Sequence, residues 1–122
     1  MNFIDARITA DSRWAMLPSG ERLPLANETP AGLRNREIIL GIRPEHFAVM
    51  NADAAQLRVD VDHVETRGAD TLVYGNPKGA HTKLTLRLPD VHHFEVAITL
   101  SLSVDPLRVH LFDPQSERRI GN

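Results

Sequence analysis

The chain contains no cysteine, few aromatic residues and no long apolar run. Without cysteine it can form no disulfide, no thiolate nucleophile and no cysteine-ligated zinc site. No window approaches the ~20 apolar residues that a membrane-spanning helix needs. The first residues, MNFIDARITADSRW, carry acids where a secretory signal needs a basic stretch followed by an apolar run. We therefore expect a soluble, cytoplasmic domain with no direct membrane insertion.

Motifs for nucleotide and hydrolytic chemistry are also missing. There is no glycine-rich phosphate loop ending in Lys-Ser or Lys-Thr, no Gly-x-Ser-x-Gly and no His-Glu-x-x-His. Aromatic residues make up 5% of the chain and the formal net charge is −2, which disfavours the stacking platform and basic groove of a nucleic-acid binder. We expect no catalysis by the chain alone, no cofactor and no nucleic-acid partner.

What the sequence does contain is period-two alternation of apolar and polar residues, which is typical of half-buried strands. In QLRVDVDHVE the apolar members are Leu57, Val59 and Val61. The segments KLTLRLP and EVAITLSLSVDP repeat the pattern, the second from Val96 to Val104. No helical stripe exceeds about two turns.

Turn-forming residues separate these strands at short intervals, as at Pro18-Ser19-Gly20 and Asp105-Pro106. YGNPKGAH predicts a hairpin turn between a strand ending near Tyr74 and one beginning near Thr82. The length of 122 residues fits one domain, residues 1–122. Short strands with frequent turns predict an all-β barrel or sandwich.

The segment IILGIRPEHF, residues 38–47, ends a buried strand in Arg43, Pro44, Glu45 and His46. Gly41 within the strand indicates a bulge or a close backbone approach. Pro44 forces the preceding residue into an extended conformation and suits the first position of a helical turn, with Glu45 near that turn's N-terminus. These residue types favour a structural corner, with Phe47 packing inward, over a catalytic cluster.

Histidines and carboxylates offer weaker alternatives. His46, His92 and His110 could be imagined as a metal site, but their spacing does not require one, and hydrogen-bonded or solvated histidines are favoured. Asp60, Asp62 and Glu65 could supply paired carboxylates for acid–base chemistry. The first two share the polar face of a predicted strand, so a solvated face is favoured.

Five segments in the same order resemble one protein family. They are LGIRPEHF, VDHVETRGADTLVYG, LRLPD, SVDPLRVHLFDPQSERRI and the initial MNFI. Together they resemble the C-terminal regulatory domain, the TOBE domain, of ATP-binding subunits of sugar-type ABC importers, the maltose- and glycerol-phosphate-importer class. The resemblance covers almost the whole chain and implies an all-β, OB-like (TOBE) barrel with short turns and little helix.

The resemblance also implies a function. In this family the domain holds two ATPase subunits together on the side away from the membrane, and in some members it receives signals from a regulatory protein. It implies a weak homodimer and, in a full importer, contact with the ATPase domain and the permease. The corner at Gly41, Arg43, Pro44, Glu45 and His46 matches the family motif and implies an architectural role. Leu111, Phe112 and Asp113 match the terminal block and imply a last barrel strand.

Two features depart from the family pattern. Ser116-Glu117 stands where many members have Thr-Gly, and Phe94-Glu95 where many have Gly-Glu or Gly-Asp, so the local turns are expected to differ. The ATPase domain that the family carries is absent from this sequence.

A small-ligand sensor is the alternative, because related barrels in anion importers bind oxyanions between paired domains. The candidate for an oxyanion or sugar site is NPKGAHTK, residues 76–83, although Gly, Pro and Asn are also what an exposed turn requires.

Overall fold

The computed structural model describes residues 1–26, 31–78, 82–90 and 98–120. Within these ranges the chain forms strands and short 3₁₀ turns and no α-helix. The first five strands are β1 (Asn2–Ile8), β2 (Trp14–Met16), β3 (Arg22–Pro24), β4 (Glu37–Ile42) and β5 (Phe47–Val49). The others are β6 (Leu57–Arg67), β7 (Asp70–Pro77), β8 (Leu84–Pro89), β9 (Thr99–Val104), β10 (His110–Phe112) and β11 (Arg119–Ile120). The 3₁₀ turns are Ala31–Leu33, Pro44–His46, Ala52–Ala54 and Pro106–Arg108.

The strands form two antiparallel sheets. One has six strands in the order β11-β10-β4-β1-β2-β3, and the other has five in the order β5-β9-β6-β7-β8. The chain passes from the first sheet to the second through the corner after β4, and returns through the 3₁₀ turn that precedes β10. The all-β fold that the alternation predicts and the OB-like barrel that the family resemblance implies are both confirmed.

The core lies between the two sheets and is built by the alternation seen in the sequence. In β1 every second residue from Asn2 to Ile8 is buried, and in β6 the buried residues are Leu57, Val59 and Val61. Alternate residues of β8 and β9 fill the remaining space: Leu84, Leu86, Leu88, Leu100, Leu102 and Val104. Their burial confirms the predicted strand faces; Val96 lies outside the described residues.

One buried polar side chain joins the two sheets. Asn2, at the start of β1, is 7% exposed, and its amide faces the main chain of Thr85 in β8. Its Nδ2 donates to the Thr85 carbonyl at 2.7 Å, and the Thr85 N–H donates to Oδ1 at 2.8 Å. The amide thus supplies a donor and an acceptor to a backbone segment that would otherwise lose both bonds in a buried setting.

The predicted hairpin is present, but its strands have different ends. β7 and β8 pair antiparallel, with Gly75 opposite Leu84. β7 does not stop near Tyr74; it continues to Pro77, which lies opposite Val59 of β6. The pairing of β7 with β8 stops at Gly75 and Leu84, two residues before Pro77. The N–H that Pro77 lacks therefore removes no hydrogen bond between β7 and β8.

No helix among the described residues is long and apolar enough to cross a membrane.

Candidate functional site

The corner that follows β4 takes its shape from Arg43 and Pro44. Arg43 is extended, with φ −72° and ψ 146°, and Pro44 occupies the first position of the 3₁₀ turn Pro44–His46. The N–H of His46 donates to the Arg43 carbonyl at 3.0 Å and closes the turn. Phe47 then enters the core with 3% of its surface exposed. The chain therefore leaves one sheet and enters the other within five residues.

Gly41, two residues before Arg43, lies beneath the side chains of Met1 and Phe112, which come from opposite ends of the sequence. A Cβ atom added to Gly41 would lie 2.6 Å from Cε2 of Phe112 and 2.7 Å from Sδ of Met1. Both distances are shorter than any ordinary carbon contact, so only glycine fits while Phe112 and Met1 stay in place. The sequence indicated a bulge or a close backbone approach at Gly41; the groups that approach it are instead two side chains, the Phe112 ring of β10 and the Met1 thioether.

Charged residues surround the corner where it packs against β8. Asp70 accepts from Arg87 Nε at 2.7 Å and from Arg67 Nε at 3.2 Å. The Arg87 hydrogen bond lowers the pKa of Asp70, and the Arg67 charge adds to the effect. Glu45 lies at the same cleft, and a hydrogen bond from its own backbone N–H is the main cause that lowers its pKa. The charged forms of both carboxylates, Glu45 and Asp70, are thus favoured beside the corner.

The two histidines near the corner have different surroundings. His110 lies opposite Gly41 across the β4–β10 pair. Partial burial lowers the pKa of His110, and the charges of Arg119, Arg43 and His46 lower it further. The Nδ1 atom of His46 is buried and has no hydrogen-bond partner among the described residues. Within the described ranges no group of three or more acidic or histidine side chains is placed to hold a metal ion, and His92 lies outside those ranges.

The terminal block lies next to the corner. Leu111 and Phe112 belong to β10, opposite Leu40 and Ile39 of β4. The resemblance implied that this block forms the last strand. In the structure a further strand, β11, follows β10 and pairs with it.

The turn after Asp113 explains this return of the chain. The Asp113 carboxylate accepts from the Gln115 N–H at 2.9 Å, and this bond lowers its pKa. Glu117 adopts a left-handed conformation at φ 60°, and the Asp113 N–H donates to the Arg118 carbonyl at 2.8 Å. Thus Ser116-Glu117, standing where many family members have Thr-Gly, still allows the turn.

The other candidates from the sequence are engaged in local contacts. Asp60 accepts from Thr99 Oγ1 at 2.8 Å on an exposed face. Asp62 accepts from Asn76 Nδ2 and from Lys83 Nζ, each at 3.2 Å. Asn76 and Lys83 belong to the predicted oxyanion segment, so Lys83, one of its two lysines, already forms an ion pair with a carboxylate. Residues 79–81 of that segment lie outside the described residues.

Asn2 is the structural residue that sequence reasoning missed. The signal was available, because Asn2 occupies the buried register of an alternating strand with Ile4, Ala6 and Ile8. A polar side chain on such a face requires a hydrogen-bond partner.

Comparison with known families agrees with this geometry. Residues 1–47 match the family model of the MalK OB fold domain, and residues 40–112 match that of the TOBE domain. The second match covers more than half of the chain and includes both the corner and β10.

The chain belongs to the TOBE domain family.

Similar proteins carry this TOBE domain in their C-terminal region. The sulfoquinovosyl glycerol transport ATP-binding protein SmoE of Agrobacterium fabrum is 41% identical over 98% of this chain and 33% of its own length. The sn-glycerol-3-phosphate import ATP-binding protein UgpC of Paraburkholderia xenovorans is 37% identical over the same shares. UgpC of Paracoccus denitrificans is 37% identical over 91% of this chain and 30% of its own length. The chain therefore spans about a third of the length of these relatives.

Proposed function

We propose that this TOBE domain is the regulatory and dimerisation domain of the ATP-binding subunit of an ABC importer for sugars or related solutes. The observation that carries the proposal is that 98% of this chain matches the C-terminal region of importer ATP-binding proteins. The ATPase domain and the permease are the partners that this role requires. Hydrolysis of ATP is the task of the ATPase domain, since this chain has no phosphate loop.

The corner contributes an architectural role to this proposal. Arg43, Pro44, Glu45 and His46 turn the chain from the six-stranded sheet into the five-stranded sheet. Gly41 sits directly before the turn and supports Phe112 of β10. We assign these residues to holding the two halves of the barrel in one orientation, so that the domain acts as a rigid spacer between subunits.

Self-association of this domain can be weak and still serve the importer. A two-fold contact is self-complementary, so an isolated domain keeps both halves of it. The rest of the importer would hold two such domains at an effective concentration of about a millimolar. We expect the isolated chain to form a reversible homodimer with a dissociation constant on the order of micromolar to millimolar.

A chimera tests the proposed function. The matching C-terminal region of UgpC from Paraburkholderia xenovorans is replaced by this chain, and uptake of sn-glycerol-3-phosphate is measured in cells that lack their own UgpC. A truncated UgpC without the region is the matched control. We expect the chimera to support more uptake than the truncated protein. A chimera that is folded and assembled with the permease, yet no better than the truncation, would contradict the proposal.

A further inference from the structure

The hairpin formed by β10 and β11, which we call the terminal hairpin, joins the six-stranded sheet along one short strand. β10 pairs with β4 at three positions, which are His110 with Gly41, Leu111 with Leu40 and Phe112 with Ile39. Leu111 and Ile120 pack against the core and hold the hairpin in place. All three residues of β10 are nevertheless half-buried, in contrast to the fully buried Leu40 of β4. Short elements of this kind open locally while the rest of a domain stays folded.

Basic side chains lie on both sides of the β4–β10 boundary. His110 and Arg119 belong to the terminal hairpin, whereas Arg43 and His46 belong to the corner that follows β4. Partial burial lowers the pKa of His110, and the charges of Arg119, Arg43 and His46 lower it further. No carboxylate among the described residues contributes to that pKa. A proton on His110 is therefore repelled from the hairpin and from the corner alike.

The acidic residues nearby do not balance His110. A hydrogen bond from its own backbone N–H is the main cause that lowers the pKa of Glu45, and the charges of His46 and Arg43 lower it further. Glu45 thus acts on the corner side of the boundary. Glu117, on the hairpin, lies in the groove beside Phe112 and has no part in the pKa of His110. The hairpin side of the boundary therefore lacks a carboxylate that would stabilise a protonated His110.

His46 adds a hydrogen-bonding constraint at the same boundary. Its Nδ1 atom is buried and has no hydrogen-bond partner among the described residues. In the neutral ring one nitrogen carries no proton, but in the imidazolium both nitrogens are donors. A buried donor without an acceptor is destabilising. A second proton on His46 therefore favours an open arrangement in which water reaches Nδ1.

We propose that the terminal hairpin is a pH-sensitive switch, closed at neutral pH and released from β4 when His110 and His46 take up protons. The stability linked to His110 is complete above the ordinary pKa of 6.5 and decreases as pH falls through the lower value of the closed state. Release uncovers Leu40 and leaves the five-stranded sheet paired. Histidines that charge at mildly acidic pH are the usual basis of such switches. The inference concerns the domain alone and does not depend on the proposed function.

Amide hydrogen exchange followed by nuclear magnetic resonance tests the switch. After correction for the intrinsic pH dependence of exchange, the opening equilibrium of β10 should rise roughly three- to tenfold between about pH 7.5 and pH 5. The amides of β6 should show no such rise. His110→Gln should remove most of the pH dependence of β10, and His46→Gln a smaller part. Arg119→Gln keeps both histidines and should weaken the dependence by removing one repelling charge.

His63→Gln is the matched control, because His63 is exposed and stacks on Tyr74 in the other sheet; it should leave the pH dependence of β10 intact. An opening equilibrium of β10 that stays constant with pH would overturn the switch. An equal rise in β6 would also overturn it, since acid would then unfold the whole domain. If the pH dependence of β10 persists in the double variant His46→Gln/His110→Gln, the protons bind elsewhere and the assignment to these histidines is wrong.

Discussion

The side-chain amide of Asn2 takes the place of a backbone neighbour for Thr85, giving and receiving one hydrogen bond each. The two residues are 83 positions apart in the chain and lie in different sheets. Asn2 is buried and Thr85 is half-buried, so removing the amide would leave the Thr85 N–H and carbonyl in a partly buried setting without these partners. One polar side chain thus hydrogen-bonds β1 to β8 within a core that is otherwise apolar.

Replacing Asn2 with leucine should lower the free energy of unfolding by about 2–4 kcal/mol, since a buried donor and a buried acceptor both lose their partners. Urea denaturation measures the change. Asn51→Ala is the control, because Asn51 is exposed and its side chain caps no bond; it should change stability by less than about 0.5 kcal/mol. Equal effects of the two substitutions would contradict a special role for Asn2.

Gly41→Ala should destabilise the domain by about 1–2 kcal/mol, because the added methyl group would overlap the Phe112 ring. The control is Gly68→Ala, where an added Cβ would have no atom within 4 Å. In a Phe112→Ala background the cost of Gly41→Ala should fall, since the two residues are in contact. Additive costs in the double variant would show that the ring is not the cause.

Glu117→Gly should stabilise the domain by roughly 0.5–1 kcal/mol, because Glu117 holds a left-handed backbone that glycine adopts without strain. Asparagine tolerates this conformation better than glutamate and should give an intermediate result. Thermal denaturation of the three proteins should therefore rank glycine first, asparagine second and glutamate last. A glycine variant less stable than the natural chain would contradict this explanation.

Acid should weaken the domain partly through Asp70. Its pKa in the folded state lies below the ordinary value near 3.8, so its contribution to stability is complete above that value and is lost as pH falls through the folded pKa. Arg87→Met should reduce stability at pH 7, and the reduction should become smaller as pH falls below 3.8 and Asp70 is protonated. Arg67→Met should have the smaller effect, since the Arg87 hydrogen bond is the larger cause. Parallel stability–pH curves for the natural chain and Arg87→Met would contradict this assignment.

His110 should titrate below the ordinary histidine pKa of 6.5, which nuclear magnetic resonance can follow directly. Since folding lowers this pKa, the stability linked to His110 is present above 6.5 and decreases as pH falls through the folded value. Arg119→Gln and Arg43→Gln should each raise the pKa by removing a repelling charge. Lys83→Gln, at the residue that precedes β8, is the control and should leave the pKa of His110 unchanged. A titration unaffected by both arginine variants would contradict the part assigned to these two charges.

The alternation of apolar and polar residues predicted those strands that are long enough to show it. The apolar faces of β6, β8 and β9 could be read from the sequence because each strand has one buried face and one exposed face. β2 and β3 have three residues each, too few to show a period, and they become strands through pairing in the order β1-β2-β3. β11, with two residues, depends in the same way on the turn that begins at Asp113.

The sequence predicted that the chain turns at Arg43 and Pro44, but it did not predict which distant residues contact this corner. Proline chemistry sufficed for Arg43 and Pro44, because a proline restricts the residue before it. No local rule connects Gly41 with Phe112, which is 71 residues later, or Asn2 with Thr85. Such contacts arise only when strand order and register are known.

The contact between Gly41 and Phe112 also restricts the order in which this sequence can evolve. A side chain gained at position 41 while the ring is present passes through a less stable intermediate, whereas reducing position 112 first removes the closest contact and leaves only the flexible Met1 side chain to move. The two positions are therefore epistatic, and a lineage that exchanges the glycine should have lost the aromatic ring beforehand. Among related domains, the identities at these positions should covary even though the residues are distant in sequence.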